Sequence, residues 1–360
     1  MTRALTTEQT VTERPRVRRR GLLDVGEVVG GYRIVASLGG GGMGVVYVAE
    51  HLLLGRRAAI KVLRPELSRA PDVVQRFFAE ARAVTTIRHP GIVEVYDFGY
   101  TEDELAYLVM ELLDGVSLAD RLEREHRLPI ATAVLLTRRV ALALAAAHDQ
   151  GIVHRDIKPD NVFLVIDGEG GPVPQIKLLD FGIARLLDDG PRNALETSQG
   201  VVLGTPAYMS PEQCHGVEPC DHRSDLYALG CVCFEMLTGR PPFAADSAFE
   251  IMTAHVAAPP PDLREHAADA PAALAAIVDR LLAKDPGHRF QSARELIAAL
   301  DATIARHGVG RRSAAFTAVG RRPSRRTSSQ IPAPRRHHRW LRYAAAGAAL
   351  AGLLGWRLVA

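Results

Sequence analysis

Lysine is scarce in this chain. Only four of the 44 cationic side chains among its 360 residues are lysines, and all the others are arginines. A lysine kept against that preference either occupies an indifferent position or supplies a compact ammonium charge that the planar guanidinium of arginine cannot imitate. The four positions to explain are Lys61, Lys158, Lys177 and Lys284.

Cysteine is also rare, and its four copies all lie between Cys214 and Cys233 without a C-x-x-C spacing. The arginine-rich start, Arg14 to Arg20, is followed by no apolar stretch typical of a secretion signal. We therefore expect reduced thiols in a cytoplasmic domain, buried as small apolar residues rather than bound to zinc.

Acidic residues are missing from the last part of the chain. Residues 302–360 contain twelve arginines and no Asp, Glu or Lys, a local charge of +12, although the whole chain carries only +3. Residues 1–301 must therefore carry −9, and with +2 on residues 1–31 the segment 32–301 carries −11. An acidic main body excludes a uniformly basic nucleic-acid-binding protein, so we expect no nucleic-acid partner.

Hydrophobic periodicity divides the chain into four parts. Residues 1–31 read as a disordered basic arm, 32–305 as a folded domain, 306–342 as a disordered polybasic linker and 343–360 as an apolar segment. Within the domain, β-rich segments come first and helical ones follow, with the lobes meeting near residues 112 and 113. The predicted strands are 32–38, 45–49, 58–63, 92–99 and 105–112, and the first predicted helices are 71–88, 118–127 and 131–150.

A glycine-rich turn joins the first two predicted strands. Gly39, Gly41 and Gly44 fit the pattern G-x-G-x-x-G, followed by a valine at the expected position. Glycines let backbone amides approach phosphate oxygens, but the pattern alone is weak. A strand rather than a helix follows it, which disfavours a Rossmann nucleotide site. Lys61 lies on the next strand among apolar neighbours and needs an anionic partner, for which Glu80 is the candidate.

Three further motifs follow in order. Residues 154–161 read His-Arg-Asp-Ile-Lys-Pro-Asp-Asn, residues 180–182 read Asp-Phe-Gly, and residues 204–212 run from Gly-Thr-Pro to Ser-Pro-Glu. Together with the glycine loop and Lys61, this set resembles the bacterial eukaryotic-like (Hanks-type) serine/threonine protein kinases over about residues 32–305. The resemblance implies an α+β, two-lobed protein kinase fold with a small β-rich N-lobe, 32–112, and a larger helical C-lobe, 113–305.

The resemblance also implies the chemistry, an ATP- and Mg²⁺-dependent transfer of phosphate to proteins, with Mn²⁺ as an alternative metal. Asp156 would accept or orient the proton of the substrate hydroxyl, and Asn161 with Asp180 would hold the metal. Lys158 would contact the γ-phosphate, which favours a Ser or Thr acceptor. Ser210 stands where the family usually has alanine, a conservative departure.

Nucleotide contacts are implied in the same way. Lys61 would hold the α- and β-phosphates while paired with Glu80. Glu212 and Arg289 resemble the structural ion pair of the family. The other residues matching the ATP pocket are Leu38, Gly39, Gly41, Gly44, Val46, Ala59, Met110, Glu111, Leu113 and Phe163, with Asp180 at its edge.

Between Asp180 and Glu212 we expect an activation segment. Arg155 precedes Asp156, a feature of kinases ordered by phosphorylation, so we predict autophosphorylation on Thr197 or Ser198 in a signalling role. Thr205 resembles the substrate-pocket threonine. Two alternatives remain open, a pseudokinase scaffold and a kinase of small molecules.

The apolar segment 343–360 lies beside arginines that would face an anionic membrane surface. Two interpretations stay open for this segment. It is either a single-pass membrane anchor that keeps the kinase domain cytoplasmic, or an apolar helix lying on a membrane or a partner.

Overall fold

A six-stranded antiparallel sheet forms the first part of the fold. The computed structural model describes residues 22–166, 173–181, 206–216 and 220–307. Five strands were expected from the sequence, and a short sixth pairs with the first of them. In sheet order, with β5 at the far edge, the strands are β1 (Val28–Val29), β2 (Tyr32–Gly40), β3 (Gly44–His51), β4 (Arg57–Leu63), β6 (Ala106–Glu111) and β5 (Val95–Tyr100).

Each face of this sheet buries a separate apolar cluster. Alternate side chains of a strand point to opposite faces, so Ile60 and Val62 on β4 join one cluster with Tyr47, while Leu63 joins the other. The second cluster packs against helix α2 (Pro71–Thr85), which turns Phe77 and its apolar neighbours toward the sheet. A short helix, α1 (Pro65–Ser68), precedes α2.

The second part of the fold is helical. Its core is built around α6 (His222–Thr238), whose side chains are buried on nearly every side and whose first turn is capped by Asp221. The helix α4 (Ile130–His148) is long and apolar enough to cross a membrane, but it is largely buried in this core. The helices are α3 (Leu118–Glu125), α4 (Ile130–His148), α5 (Pro211–His215), α6 (His222–Thr238), α7 (Ala248–Ala257), α8 (Leu263–His266), α9 (Ala272–Leu281) and α10 (Ala293–His307).

A small antiparallel sheet lies where the two parts meet. It contains β7 (Gly115–Ser117), β8 (Val162–Val165) and β9 (Gln175–Leu178). Ile92, from the connection between α2 and β5, forms an isolated parallel bridge with Leu178 at the end of β9. The predicted strand 92–99 therefore begins only at Val95, because the residues before it bond to the second part of the fold instead.

The amino-terminal boundary differs from the prediction. Residues 22–31, assigned to a disordered arm, belong to the folded domain: Leu23 is only 5% exposed, and β1 pairs with β2. The backbone amides of Leu22 and Leu23 both donate to the Tyr47 hydroxyl. Burial of the apolar residues in this segment stabilises its folded conformation.

Candidate active site

Three predicted catalytic residues meet in the loop between α4 and β8. Lys158 Nζ lies 2.7 Å from Asp156 Oδ2, and Asn161 Nδ2 donates to the same carboxylate oxygen at 2.9 Å and to the Asp156 carbonyl at 2.8 Å. Two donors thus fix the Asp156 carboxylate through Oδ2. This geometry suits a group that accepts or orients a proton.

A buried carboxylate fixes the backbone of this loop through hydrogen bonds. Asp225, at the start of α6, accepts hydrogen bonds from the backbone amides of His154 at 2.8 Å and Arg155 at 2.7 Å. His148 Nε2 lies 2.8 Å from the same carboxylate. Arg155 has a φ of 65°, a left-handed conformation that costs a non-glycine residue of the order of 1 kcal/mol or more. The bonds to Asp225 offset that strain and keep Asp156 in place.

His154 is a fully buried member of the loop. Its Nε2 lies 3.0 Å from the Leu179 carbonyl, and its Nδ1 accepts from the Asp156 amide at 3.3 Å. One nitrogen donates and the other accepts, so the ring is a neutral imidazole, consistent with burial lowering its pKa. Its ring packs on Phe181 with centroids 4.4 Å apart. The histidine therefore links the loop to the Asp-Phe-Gly motif.

The predicted ion pair between Lys61 and Glu80 is absent from this conformation. Lys61 Nζ instead lies 2.7 Å from Asp180 Oδ1. Glu80 faces an apolar cavity of about 20 Å³ between α2 and β6, and its Oε2 is buried without a hydrogen-bond partner. Burial raises the Glu80 pKa to about 8 against the opposing attraction of Lys61. In this conformation Lys61 is therefore paired with Asp180, and burial favours the protonated form of Glu80.

Asp180 occupies a strained position opposite the catalytic loop. Its φ is 49°, and although burial alone would raise its pKa, the Lys61 ammonium lowers it below the ordinary value. Among the described residues, Asp180 Oδ2 accepts no protein hydrogen bond, and Asn161 donates only through Nδ2, so its Oδ1 accepts none either. Two hard oxygen donors of this kind fit Mg²⁺.

The glycine turn lies open beside these charges. A Cβ on Gly39 or Gly41 would meet no protein atom within 4 Å, so neither glycine is required by packing in the described residues. Gly44 differs, because a Cβ there would lie 2.1 Å from the Val62 carbonyl oxygen. The first two glycines are therefore explained by the close approach of a group from outside the protein to the backbone.

This contrast gives a stability prediction. We expect Gly44→Ala to lower the free energy of unfolding by about 1–3 kcal/mol because the backbone of β4 must move. Gly41→Ala, the matched control, should change it by less than about 0.5 kcal/mol. Urea unfolding of the two variants measures both values, and equal losses would contradict the steric argument.

The predicted adenine pocket is assembled by strand register. Ala59 on β4 lies opposite Met110 on β6, and Val46 on β3 lies opposite Lys61. Phe163 is on β8, and Leu38, near the end of β2, is half exposed above the cleft. Leu113 is partly buried in the connection between the two parts of the fold. Strand register therefore places Val46 opposite Lys61 and Ala59 opposite Met110 on neighbouring strands.

Glu111, in the segment predicted to bind adenine, has a partner that sequence reasoning missed. Lys177 Nζ on β9 lies 2.5 Å from Glu111 Oε1 and 3.2 Å from the Ile92 carbonyl. The Glu94 amide also donates to Glu111 Oε1, at 2.8 Å. Lys177 thus links Glu111, at the end of β6, to the small sheet. The scarcity of lysine in the sequence was the available signal for Lys177, whereas Asp225 carried no comparable signal.

After Phe181 the chain is described again only from Pro206 onward. Thr197, Ser198 and Thr205 lie outside the described residues. Beyond them, Glu212 on α5 forms the predicted ion pair with Arg289, through Oε1–Nη1 at 2.8 Å and Oε2–Nη2 at 2.9 Å. Cys220, Cys231 and Cys233 are buried as expected, whereas Cys214 is only partly buried.

The unusual Glu80 predicts a pH effect on stability. The folded state holds the Glu80 proton up to a pKa of about 8, whereas the unfolded chain releases it near the ordinary value of 4.5. Stability therefore falls as pH rises between these values, by at most about 1.4 kcal/mol per pH unit. Glu80→Gln has no carboxyl to ionise and avoids this loss. The free energy of unfolding of the variant, relative to that of the wild type, should therefore increase by about 1–3 kcal/mol from pH 5 to pH 7.5.

Urea unfolding at the two pH values measures this difference. Glu66→Gln, at an exposed position on α1, is the matched control and should show no growing advantage. An advantage of Glu80→Gln that stays constant with pH would contradict the buried, protonated Glu80.

Comparisons with known proteins agree with this geometry. The family model described as "Protein kinase domain" matches residues 32–299. The serine/threonine-protein kinase Pkn1 of Myxococcus xanthus is 44% identical over 283 residues, covering 79% of this chain and 40% of Pkn1. PknA of Mycobacterium tuberculosis is 38% identical over 313 residues, covering 85% of this chain and 65% of PknA.

Solved structures give the same result for the fold. The crystal structure of the PknI kinase domain of Mycobacterium tuberculosis matches with a TM-score of 0.61 and 29% identity. The match covers 78% of this chain and 98% of that domain. The chain spans between 40% and 65% of the length of the curated relatives Pkn1 and PknA.

Proposed function

Because this chain belongs to the protein kinase domain family, we propose that it transfers the γ-phosphate of ATP to serine and threonine hydroxyls of protein substrates. One observation carries the proposal. The Asp156 carboxylate is held by Lys158 and Asn161, in the same site as the charged pair of Lys61 and Asp180. Such an arrangement supplies positioning and charge neutralisation, which phosphoryl transfer chiefly requires.

Each residue has a defined task in the proposed reaction. Asp156 orients the acceptor hydroxyl and takes its proton, and Lys158 neutralises charge on the transferred phosphate. Lys61 binds the inner phosphates of ATP. Asn161 and Asp180 would hold Mg²⁺, or Mn²⁺ in its place, which supplies a positive charge against the phosphate oxygens when bound.

A transfer assay separates this proposal from its two alternatives. The purified full chain is incubated with γ-labelled ATP, magnesium and either casein or a mixture of small alcohols and sugars. We expect acid-stable label on serine and threonine of the protein acceptor. Label on small molecules alone would indicate a small-molecule kinase, and nucleotide binding without any transfer would indicate a pseudokinase.

Autophosphorylation of Thr197 or Ser198 is the regulatory part of the proposal. Arg155 is exposed next to Asp156, and within the described residues its guanidinium has no ion-pair partner. A phosphate on the activation segment would supply one. We expect phosphate on one of these residues after incubation with ATP, and lower activity in the double alanine variant. Full activity with both residues unmodified by mass spectrometry would contradict this.

The basic tail suggests a location for the kinase. Arg335, Arg336, Arg339 and Arg342 precede the apolar segment 343–360, which lies outside the described residues. An anionic membrane surface would attract this charge, with the kinase domain on the cytoplasmic side, a location suited to signalling. Carbonate extraction of membranes tests the anchor: full-length protein released into the supernatant would exclude a spanning segment.

A further inference from the structure

Two carbonyl groups at the tip of the glycine turn accept hydrogen bonds from one side chain. Arg64, the residue after β4, donates from Nη2 to the Gly41 carbonyl at 2.9 Å and from Nε to the Gly42 carbonyl at 3.0 Å. A longer Nε contact to Gly41 adds to these at 3.2 Å. The Arg64 amide also donates to the Met43 carbonyl at 2.9 Å. The predicted phosphate-covering turn is therefore attached along its tip to one arginine.

Peptide geometry fixes what this attachment does to the amide groups. In a trans peptide the carbonyl of one residue and the N–H of the next point in opposite directions. With the Gly41 and Gly42 carbonyls bonded to Arg64, the N–H groups of Gly42 and Met43 point away from it. Over the described part of the chain, neither N–H donates to a protein acceptor.

Strand alternation places Arg64 on the side of the sheet opposite Lys61. Val62 belongs to the apolar cluster on one face, and Leu63 belongs to the cluster on the other, which α2 covers. Arg64 continues the extended backbone with φ −62° and ψ 151°, so it shares the face of Val62 rather than that of Lys61 and Leu63. The free amides therefore point toward the Lys61 side.

We propose that Arg64 is a positioning residue for nucleotide phosphates, acting through the backbone of the glycine turn and not by contact with the nucleotide. This inference rests on the proposed function and extends it. A turn with several glycines has many conformations to lose on binding a ligand. Arg64 restricts those conformations beforehand, so less entropy is lost when the phosphates bind.

The guanidinium is suited to this task in a way that lysine is not. Its fork presents donors in a fixed plane and bonds two successive carbonyls together. An ammonium at position 64 would reach one carbonyl at a time. Arg64→Lys should therefore give an effect between that of the wild type and that of Arg64→Ala.

Calorimetric binding of ATP, ADP and adenosine to the full chain tests the inference. For Arg64→Ala we expect Kd for ATP and ADP to rise about 5- to 20-fold, while Kd for adenosine changes by less than about twofold. Arg64→Lys should raise Kd for ATP by about two- to fivefold. Arg69→Ala removes a nearby exposed arginine that does not touch the turn, and it should bind all three ligands like the wild type.

The inference is decided by comparing the change in Kd for ligands with phosphates, ATP and ADP, with the change in Kd for adenosine. Equal weakening of ATP and adenosine by Arg64→Ala, or no weakening of ATP, would overturn the inference. If the alanine variant does not fold, the same comparison with Arg64→Lys decides in the same way. Failure of the wild type itself to bind ATP would instead contradict the proposed function.

Discussion

Replacing Lys61 by methionine should lower kcat/KM for ATP by about 10²–10³-fold. The ammonium is nearly buried and lies 2.7 Å from Asp180, at the meeting point of the two parts of the fold. Methionine fills a similar volume without the charge, so the phosphates lose a cation and Asp180 loses its ionic partner. The pKa of Asp180 should then rise, because burial is no longer opposed by Lys61.

Lys61→Arg should also be impaired, by at least about tenfold, because the larger planar group cannot occupy the buried position of the ammonium. Arg57→Met is the matched control, since it removes an exposed cation from the same strand and should leave kcat/KM within about twofold. Steady-state transfer at varied ATP concentrations measures all three variants. Activity of Lys61→Met equal to that of the wild type would contradict the assigned site.

The largest stability effect is expected at Arg289. This side chain is completely buried and donates to both Glu212 oxygens and to the carbonyls of Arg223, Ala283 and Lys284. Among the described residues, Arg289→Met leaves the Ser224 hydroxyl as the one side-chain donor to the Glu212 carboxylate, and it leaves the three carbonyls without these bonds. We expect a loss of about 3–5 kcal/mol in the free energy of unfolding, because an unpaired buried charge is costly.

Two further variants show whether the unpaired charge is the cause. Adding Glu212→Gln to Arg289→Met should recover part of the lost stability, since the carboxylate is then neutral. Arg294→Met removes the exposed partner of Asp149 and should cost less than about 1 kcal/mol. Urea unfolding measures each value. A loss at Arg289 no greater than that at Arg294 would show that the buried pair contributes little.

The sequence predicted those parts of the site that depend on local pattern. The glycine turn lies between two strands because β-rich segments flank it, and Asp156, Lys158 and Asn161 meet because one short loop contains all three. The Glu212–Arg289 pair was predicted only through resemblance to the family, since 77 residues separate the two.

Features that depend on packing could not be read from the sequence. The Lys61–Glu80 pair was expected, but Lys61 pairs with Asp180 instead, a contact between segments that only folding brings together. The three bonds of Asp225 and the bonds of Arg64 to the turn join segments brought together only by folding. The scarcity of lysine pointed to Lys177, though not to its partner Glu111.

The most direct test of the account is a single-turnover measurement of γ-phosphate transfer by the wild type and Asp156→Asn at saturating ATP. We predict transfer to serine or threonine by the wild type, and a rate about 10²–10⁴-fold lower in the variant, with ATP affinity changed by less than about threefold. Asp160→Asn, an exposed neighbour in the same loop, should transfer like the wild type. Equal rates for the wild type and Asp156→Asn would contradict the central claim that this loop carries out the transfer.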